Sequence, residues 1–245
     1  MEQTTETFID VKGKDRGTFS VATAVFPART VEGVSVEEEV TFHESTALFR
    51  FLKRLIDIVF SLLGILLLAP VFLVVAVCIK LDDGGDIFHF REIVGLHNRR
   101  FFALKFRTMI PDADAYLVNH PKLLQEFKQN MKLEYDPRIT RIGGFLRRTS
   151  LDELPQLFNV LIGQMTLVGP RMIHPSELPR YGKYGQKRLS VKPGITGLWQ
   201  LYGRRQDSLE MRITLDMQYI DSRSIHLDLV ILLKTIKVFV IQTGI

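Results

Sequence analysis

Cysteine and tryptophan each occur once in this 245-residue chain, and no charged residue falls between Ile58 and Ile79. A single cysteine, Cys78, rules out an intrachain disulfide, which suits a reducing compartment. Histidine is also sparse: His89, His97, His174 and His226 have no spacing that would gather a metal, so they read as structural or surface residues. The chain has no internal repeat, which sets aside solenoids and propellers. Its long apolar run starts too far from the N-terminus to be a cleaved signal peptide.

That run reads KRLIDIVFSLLGILLLAPVFLVVAVCIK over residues 53–80. It reaches the roughly twenty residues that a helix needs to cross the hydrocarbon core of a bilayer. Three features complicate a simple span. Pro70, directly after Ala69, removes a backbone donor in mid-segment, so a kink or break is expected there. Basic residues lie on both sides, Lys53 and Arg54 before it and Lys80, Arg91, Arg99 and Arg100 after it, where a spanning helix keeps most of them on one side. Asp57 needs headgroup depth or a partner. Two topologies stay open at this point: a kinked spanning helix, and a helix-break-helix hairpin that returns to the face it entered from.

The whole chain is 46% hydrophobic and 24% charged, and its 245 residues leave enough beyond the anchor for one sizeable core. The net charge of +5 points to anionic partners: phospholipid headgroups, phosphorylated substrates or nucleic acid. Residues 1–46 are rich in Thr, Val and Glu, include Glu37-Glu38-Glu39, and read as a poorly ordered polar extension with short strands near Thr18 to Val25. Residues 47–81 form the anchor and 82–245 the catalytic part.

Asp82 to Asp86 signals a turn, followed by short strands at Ile87 to Phe90 and Phe101 to Met109. In the second strand, Phe102, Leu104 and Phe106 alternate with Ala103, Lys105 and Arg107. This predicts Lys105 and Arg107 on one face with an apolar face behind them. Residues 112–131 predict one amphipathic helix, and residues 208–221 another with Leu209, Ile213 and Tyr219 inward. Ile225 to Ile241 is apolar but interrupted by Lys234 and Lys237, which favours a packed or interfacial helix over a second span. Trp199 suits either the lipid interface or a packed position. The class is α+β, mostly helical.

Chemistry-bearing residues are densest between Asp136 and Arg171, where Arg138, Arg141, Arg147, Arg148 and Arg171 surround the adjacent acids Asp152 and Glu153. Ser150-x-x-Glu153 has the form of a capping box, whereas a helix starting at Asp152 or Glu153 would put Pro155 in its first turn, where proline is tolerated. Either register sets the acids at a helix N-terminus, which attracts anions. Two accounts remain open. The charges neutralise one another on a surface, or one carboxylate attacks phosphorus, the second holds a hard cation, and the arginines clamp phosphate oxygens.

Four motifs carry a resemblance: KFRTM at Lys105 to Met109, RITRIGGFLRRTSLDELPQLFNVLIG at Arg138 to Gly163, LVGPR at Leu167 to Arg171, and KPGITGLWQLYGR at Lys192 to Arg204. In order and spacing, over residues 50–245, they resemble the bacterial sugar transferase family, the monotopic phosphoglycosyl transferases, in its short form. The resemblance implies transfer of a sugar-1-phosphate from a nucleotide diphosphate sugar, usually a UDP-sugar, to polyprenyl (undecaprenyl) phosphate, with release of UMP. That is the initiating step of exopolysaccharide, capsule, O-antigen or glycoconjugate assembly. By the same likeness Asp152 is the nucleophile, forming an aspartyl-phosphosugar intermediate, and Glu153 the ligand of Mg2+. Lys105, Arg147 and Arg171, with Arg107 and Arg148 as weaker candidates, contact phosphate or nucleotide. Ala69 and Pro70 mark the break of a re-entrant anchor, with amphipathic interfacial helices around a small catalytic domain.

The implied location is the cytoplasmic face of a bacterial inner membrane. The partners are the nucleotide-sugar donor, the polyprenyl phosphate acceptor and membrane lipids. Nucleic acid is not expected, and a homo-oligomer is allowed for. The chain departs from the family pattern at Ile93, Gly144, Gln164 and Met172. A non-catalytic, membrane-anchored scaffold that binds anionic lipid or nucleic acid is the rival reading.

Overall fold

The computed structural model describes residues 46–130, 133–203 and 208–243. The N-terminal extension and its expected strands near Thr18 to Val25 therefore lie outside the described residues. Helix α1 (Ala47–Asp83) opens at Thr46, whose hydroxyl accepts from the Phe49 N–H at 3.2 Å, and closes on Gly84 at φ 72°, a left-handed position that glycine takes without strain. It runs unbroken through Ala69 and Pro70. The expected break is thus absent from the helix: Pro70 forfeits one hydrogen bond, and the turns on either side keep their ladder.

One stripe of α1 is built into the rest of the chain. At its start, the Asp57 carboxylate accepts from Thr166 Oγ1 at 3.0 Å and the Leu167 N–H at 2.9 Å, and Lys53 Nζ pairs with Asp228 at 2.5 Å. Arg54 donates to the carbonyls of Val160 and Leu161, both at 2.7 Å. Further along, Gly64 lets the helix approach Leu157, and Val75 and Ile79 pack with Phe106 and Leu146. At its end, Asp83 forms an ion pair with Arg107. The remaining circumference is exposed and apolar, including Leu62, Leu66, Leu67, Leu73 and Val77. Among the described residues α1 is the one helix long and apolar enough to cross a membrane.

Strands β1 (Phe88–Val94) and β2 (Arg100–Phe106) form an antiparallel hairpin in which His89 lies opposite Lys105, Arg91 opposite Ala103 and Ile93 opposite Phe101. The predicted alternation is kept only in part: the faces are inverted at the start of β2, whereas Phe106, on the Phe102 face, is buried as predicted. Phe101 and Ala103 are buried on the side of Lys105, while Phe102 is 60% exposed. Lys105 is consequently an inward residue at the polar end of a buried face, because the core lies on that side of the hairpin. The predicted single helix over 112–131 is two, α2 (Ala113–Val118) and α3 (Pro121–Asn130), since Pro121 cannot continue the first and starts the second.

Helix α4 (Arg141–Thr149) is capped by Thr140, whose hydroxyl accepts from the Gly143 N–H at 2.9 Å. It stops at Ser150, held left-handed at φ 57°. A single 3-10 turn, Leu151–Glu153, leads through Pro155 into α5 (Gln156–Leu161). Ser150 therefore ends a helix and makes no side-chain cap, so the capping-box register is not formed. Strand β3 (Thr166–Val168), helix α6 (Gly185–Arg188) and strand β4 (Gly194–Thr196) follow, with β3 and β4 paired in parallel. The chain ends in α7 (Leu209–Ser222) and α8 (Ile225–Thr243). In α7 Tyr219 is buried and Ile213 packs against the core, as the spacing predicts, whereas Leu209 in the first turn is only half-buried and joins no core cluster of the described residues. Helix α8 packs through Leu227, Asp228 and Ile231 and exposes Leu229, Leu233 and Ile236. The main core joins Ile93, Phe101 and Ala103 of the hairpin to Leu157 and Val160 of α5, to β3, and to α7 and α8. The class is mostly helical with two small sheets.

Candidate active site

Local chain geometry turns the two acids toward the hairpin. Leu151 packs against the cluster of Val75 and Ile79 from α1, Phe106 from β2 and Leu146 from α4, which anchors the turn that carries Asp152 and Glu153. Asn159, one turn into α5, docks this segment onto the edge of β2 as a strand would. Its amide donates to the Phe102 carbonyl at 2.8 Å and its oxygen accepts from the Leu104 N–H at 2.9 Å. The next residue of the strand is Lys105. Its Nζ lies 2.6 Å from Glu153 Oε1 and 3.9 Å from Asp152 Oδ2.

Arg171, from the loop after β3, approaches the same Glu153 oxygen at 3.9 Å. Arg147 donates from Nε to Thr108 Oγ1 at 2.8 Å, and its charge acts on Asp152. Asp152 is 8% exposed. Burial pushes its carboxyl pKa up, against the pull of Lys105 and Arg147, and the neighbouring Glu153 charge adds to the rise. A poorly hydrated carboxylate beside a lysine is poised to attack an electrophile, provided it is ionised.

The expected residues divide clearly. Asp152, Glu153, Lys105, Arg147 and Arg171 come together. Arg107 does not: its guanidinium pairs with Asp83 and donates to the Asp86 carbonyl, closing the end of α1. Arg148 lies on the exposed side of α4 beside Gly144. Ala69 and Pro70 are exposed positions of α1. Arg138 lies apart from the dyad, in a largely buried ion pair with Asp136 at 2.7 Å.

Several residues at the site carry no signal in the sequence. Arg91 and Arg212 share Glu177, at 3.3 and 3.1 Å. Arg171 and Arg212 both lie against the Trp199 ring, 5.3 and 5.8 Å from its centroid, within cation–π range. Trp199 thus belongs to this basic cluster. His89 faces the site across the strand pair from Lys105. Among the four departures, Ile93 and Met172 are core residues, Gln164 accepts from Asn159 Nδ2 at 2.7 Å, and a Cβ at Gly144 would make only ordinary contacts with Arg148 and Ile139.

No group of three or more His, Cys, Asp or Glu side chains able to hold a metal exists among the described residues. The dyad alone is no all-protein cage. It does fit Mg2+, which takes one or two carboxylates and fills its remaining positions with water and substrate phosphate.

The family model described as bacterial sugar transferase matches residues 48–242, nearly all of the described chain. This chain belongs to the bacterial sugar transferase family. As such it is an enzyme of the transferase class. This sugar transferase is 39% identical over 196 residues to the exopolysaccharide production protein ExoY of Sinorhizobium fredii, covering 78% of the chain and 87% of that relative. It is 42% identical over 200 residues to the undecaprenyl-phosphate galactose phosphotransferase of Salmonella typhimurium, covering 80% of the chain and 42% of that protein. With the undecaprenyl-phosphate glucose phosphotransferase of Komagataeibacter xylinus it shares 41% identity over 197 residues, 76% of the chain and 35% of that relative. The sugar transferase thus spans most of ExoY and less than half of the two phosphotransferases.

Proposed function

We propose that this sugar transferase moves a sugar-1-phosphate from a nucleotide diphosphate sugar, a UDP-sugar, onto undecaprenyl phosphate and so starts the assembly of an exopolysaccharide or related glycan. The names of the phosphotransferase relatives support the acceptor and the class of reaction. The observation that carries the reading is the buried Asp152 with Glu153 beside it, under Lys105 and Arg171.

An Asp152 oxygen attacks the sugar-linked phosphorus, and the phosphorus–oxygen bond to the nucleotide breaks. UMP leaves with that electron pair. An oxygen of undecaprenyl phosphate then attacks the aspartyl phosphate, forming the lipid diphosphate sugar and regenerating the Asp152 carboxylate. Lys105 favours the ionised form of Asp152 against its burial, and Arg171 and Arg147 offer donors to phosphate oxygens. Mg2+ held by Glu153 would neutralise diphosphate charge and polarise the phosphoryl group.

Membrane attachment from one side is part of the proposal. Lys53 near the start of α1 and Asp83 at its end are both bonded to the same domain. At 1.5 Å per residue those grips lie roughly 45 Å apart along the helix. A perpendicular span would leave them on opposite sides of the bilayer, so the helix is best placed as a monotopic anchor on the cytoplasmic face of the inner membrane. The exposed Leu229, Leu233 and Ile236 of α8 suit the same interface.

Purified protein given a UDP-sugar and undecaprenyl phosphate should release UMP. Without acceptor it should gain the mass of a phosphosugar on Asp152. Release of UDP instead, or turnover in Asp152→Asn, would overturn the proposal.

A further inference from the structure

Two charged side chains are sealed inside the domain away from the dyad. Arg188, at the end of α6, is 0% exposed and Asp216, on α7, is 1% exposed. Their closest approach, Arg188 Nε to Asp216 Oδ2, is 3.8 Å, which is too long for a hydrogen bond. Taking two such ions out of water carries a desolvation penalty that attraction at this distance offsets poorly, and apolar residues of similar volume would serve stability as well. Stability alone therefore does not account for the pair.

Both side chains act on the backbone of one residue, Arg171. Arg188 Nη2 donates to the Arg171 carbonyl at 2.7 Å and approaches the Pro170 carbonyl at 3.4 Å. The Arg171 backbone N–H favours the ionised form of the Asp216 carboxylate. Tyr181 donates its hydroxyl to Asp216 Oδ2 at 2.8 Å. One turn earlier on α7, Arg212 approaches the Met172 carbonyl at 3.4 Å. The backbone of residues 170–172 is thus held from α6 and α7. The Arg171 side chain has looser contacts, 3.9 Å to Glu153 and the face of Trp199, and is 27% exposed. Where its guanidinium sits is set by its backbone.

We propose that Arg188 and Asp216, with Tyr181 behind them, are positioning residues that grip the Arg171 backbone by its carbonyl and its N–H and so aim the Arg171 guanidinium at the phosphate being transferred. The inference rests on the reading above that Arg171 contacts phosphate. None of the three residues touches substrate; they act through Arg171.

The test is a set of double-mutant cycles on the full chain in detergent, read as UMP release and as the yield of phosphosugar adduct. Arg171→Ala should lower kcat/KM by on the order of 10²-fold, the cost of a misplaced charge at a reacting phosphate. Asp216→Asn and Arg188→Met should each approach that loss in the native background, with Arg188→Lys partly restoring it. Tyr181→Phe, which removes one hydroxyl and leaves the ring in place, should cost roughly fivefold, the net contribution of one hydrogen bond. In the Arg171→Ala background the same substitutions should cost nothing further, because their only route to the chemistry is gone.

Losses that multiply in that background would mean a general structural role and overturn the proposal. So would full activity in the native background. Should Asp216→Asn or Arg188→Met fail to fold, the Tyr181→Phe cycle decides the matter alone. If Arg171→Ala is fully active, the phosphate role of Arg171 falls first and the clamp falls with it. Multiplying losses beside a damaging Arg171→Ala would sink the clamp alone.

Discussion

Gly143→Ala is the substitution whose consequence follows most directly from the packing. A Cβ at position 143 would lie 2.0 Å from the Thr108 carbonyl oxygen and 2.7 Å from Thr108 Cα. Ordinary contact between such atoms needs about 3.5 Å, so helix α4 and the segment after β2 must part by more than about 1 Å. Thr108 is backbone here and cannot rotate away. Its carbonyl accepts from the Thr140 N–H at 3.1 Å and its hydroxyl from Arg147. Three residues upstream is Lys105, and α4 feeds directly into Asp152 and Glu153. The clash therefore separates the two elements that bring the cation to the acids.

Overpacking of this kind costs about 1–3 kcal/mol, more than the roughly 1 kcal/mol that alanine gains over glycine in a helix. A 1 Å misplacement at a reacting centre is worth on the order of 10²-fold in rate. Gly144→Ala is the internal control, because its Cβ would meet nothing nearer than the flexible Arg148 guanidinium at 3.6 Å. Thermal melts and UMP release should show Gly143→Ala destabilised and slowed by about those amounts. Gly144→Ala should melt slightly higher with unchanged activity. Equal behaviour of the two variants would refute the packing argument.

Burial raises the Asp152 pKa, so turnover should fall on the acid side at a pH above the 3.8 of an ordinary aspartate. The same shift means that Asp152 favours the fold below its unfolded pKa and that this contribution is lost as pH rises through the folded value. Asp152→Asn should therefore be inactive and, at neutral pH, melt higher than the native chain; a lower melting temperature counts against the burial argument. Lys53→Met strands Asp228, whose side chain is 4% exposed, and should cost about 3–5 kcal/mol in chemical denaturation. Lys53→Met combined with Asp228→Leu should recover most of that loss, and a double variant as unstable as the single would show the pair is not the cause. Chelation of divalent ions should stop UMP release reversibly while leaving the melting temperature unchanged, because no protein cage depends on the ion; undiminished turnover in chelator removes Mg2+ from the proposal.

The motif block around the dyad was readable because the residues concerned are neighbours or nearly so. Asp152 and Glu153 are adjacent, and Arg147 lies one helical turn before them. Lys105 stood out as a cation in an alternating strand, although the side on which the core lies could not be told from alternation, which is symmetric between faces. Arg107 shows the limit: in sequence it matches Lys105, yet the strand ends between them and the acid it meets, Asp83, belongs to the anchor. Arg91, Glu177, Trp199 and Arg212 lie far apart along the chain and meet only through folding.

Pattern along the chain was sufficient for the apolar helix, the two strands after it, the basic surroundings of the acid pair and the family, because periodicity, charge and motif order are local properties. Folding alone determined that the anchor continues unbroken through its proline while both its ends are bonded to one domain. It also determined which arginines reach the acids and that a buried ion pair grips the backbone of one of them. Those outcomes depend on which surfaces the core brings together, and a distance between residues remote in sequence has no value until the chain has packed.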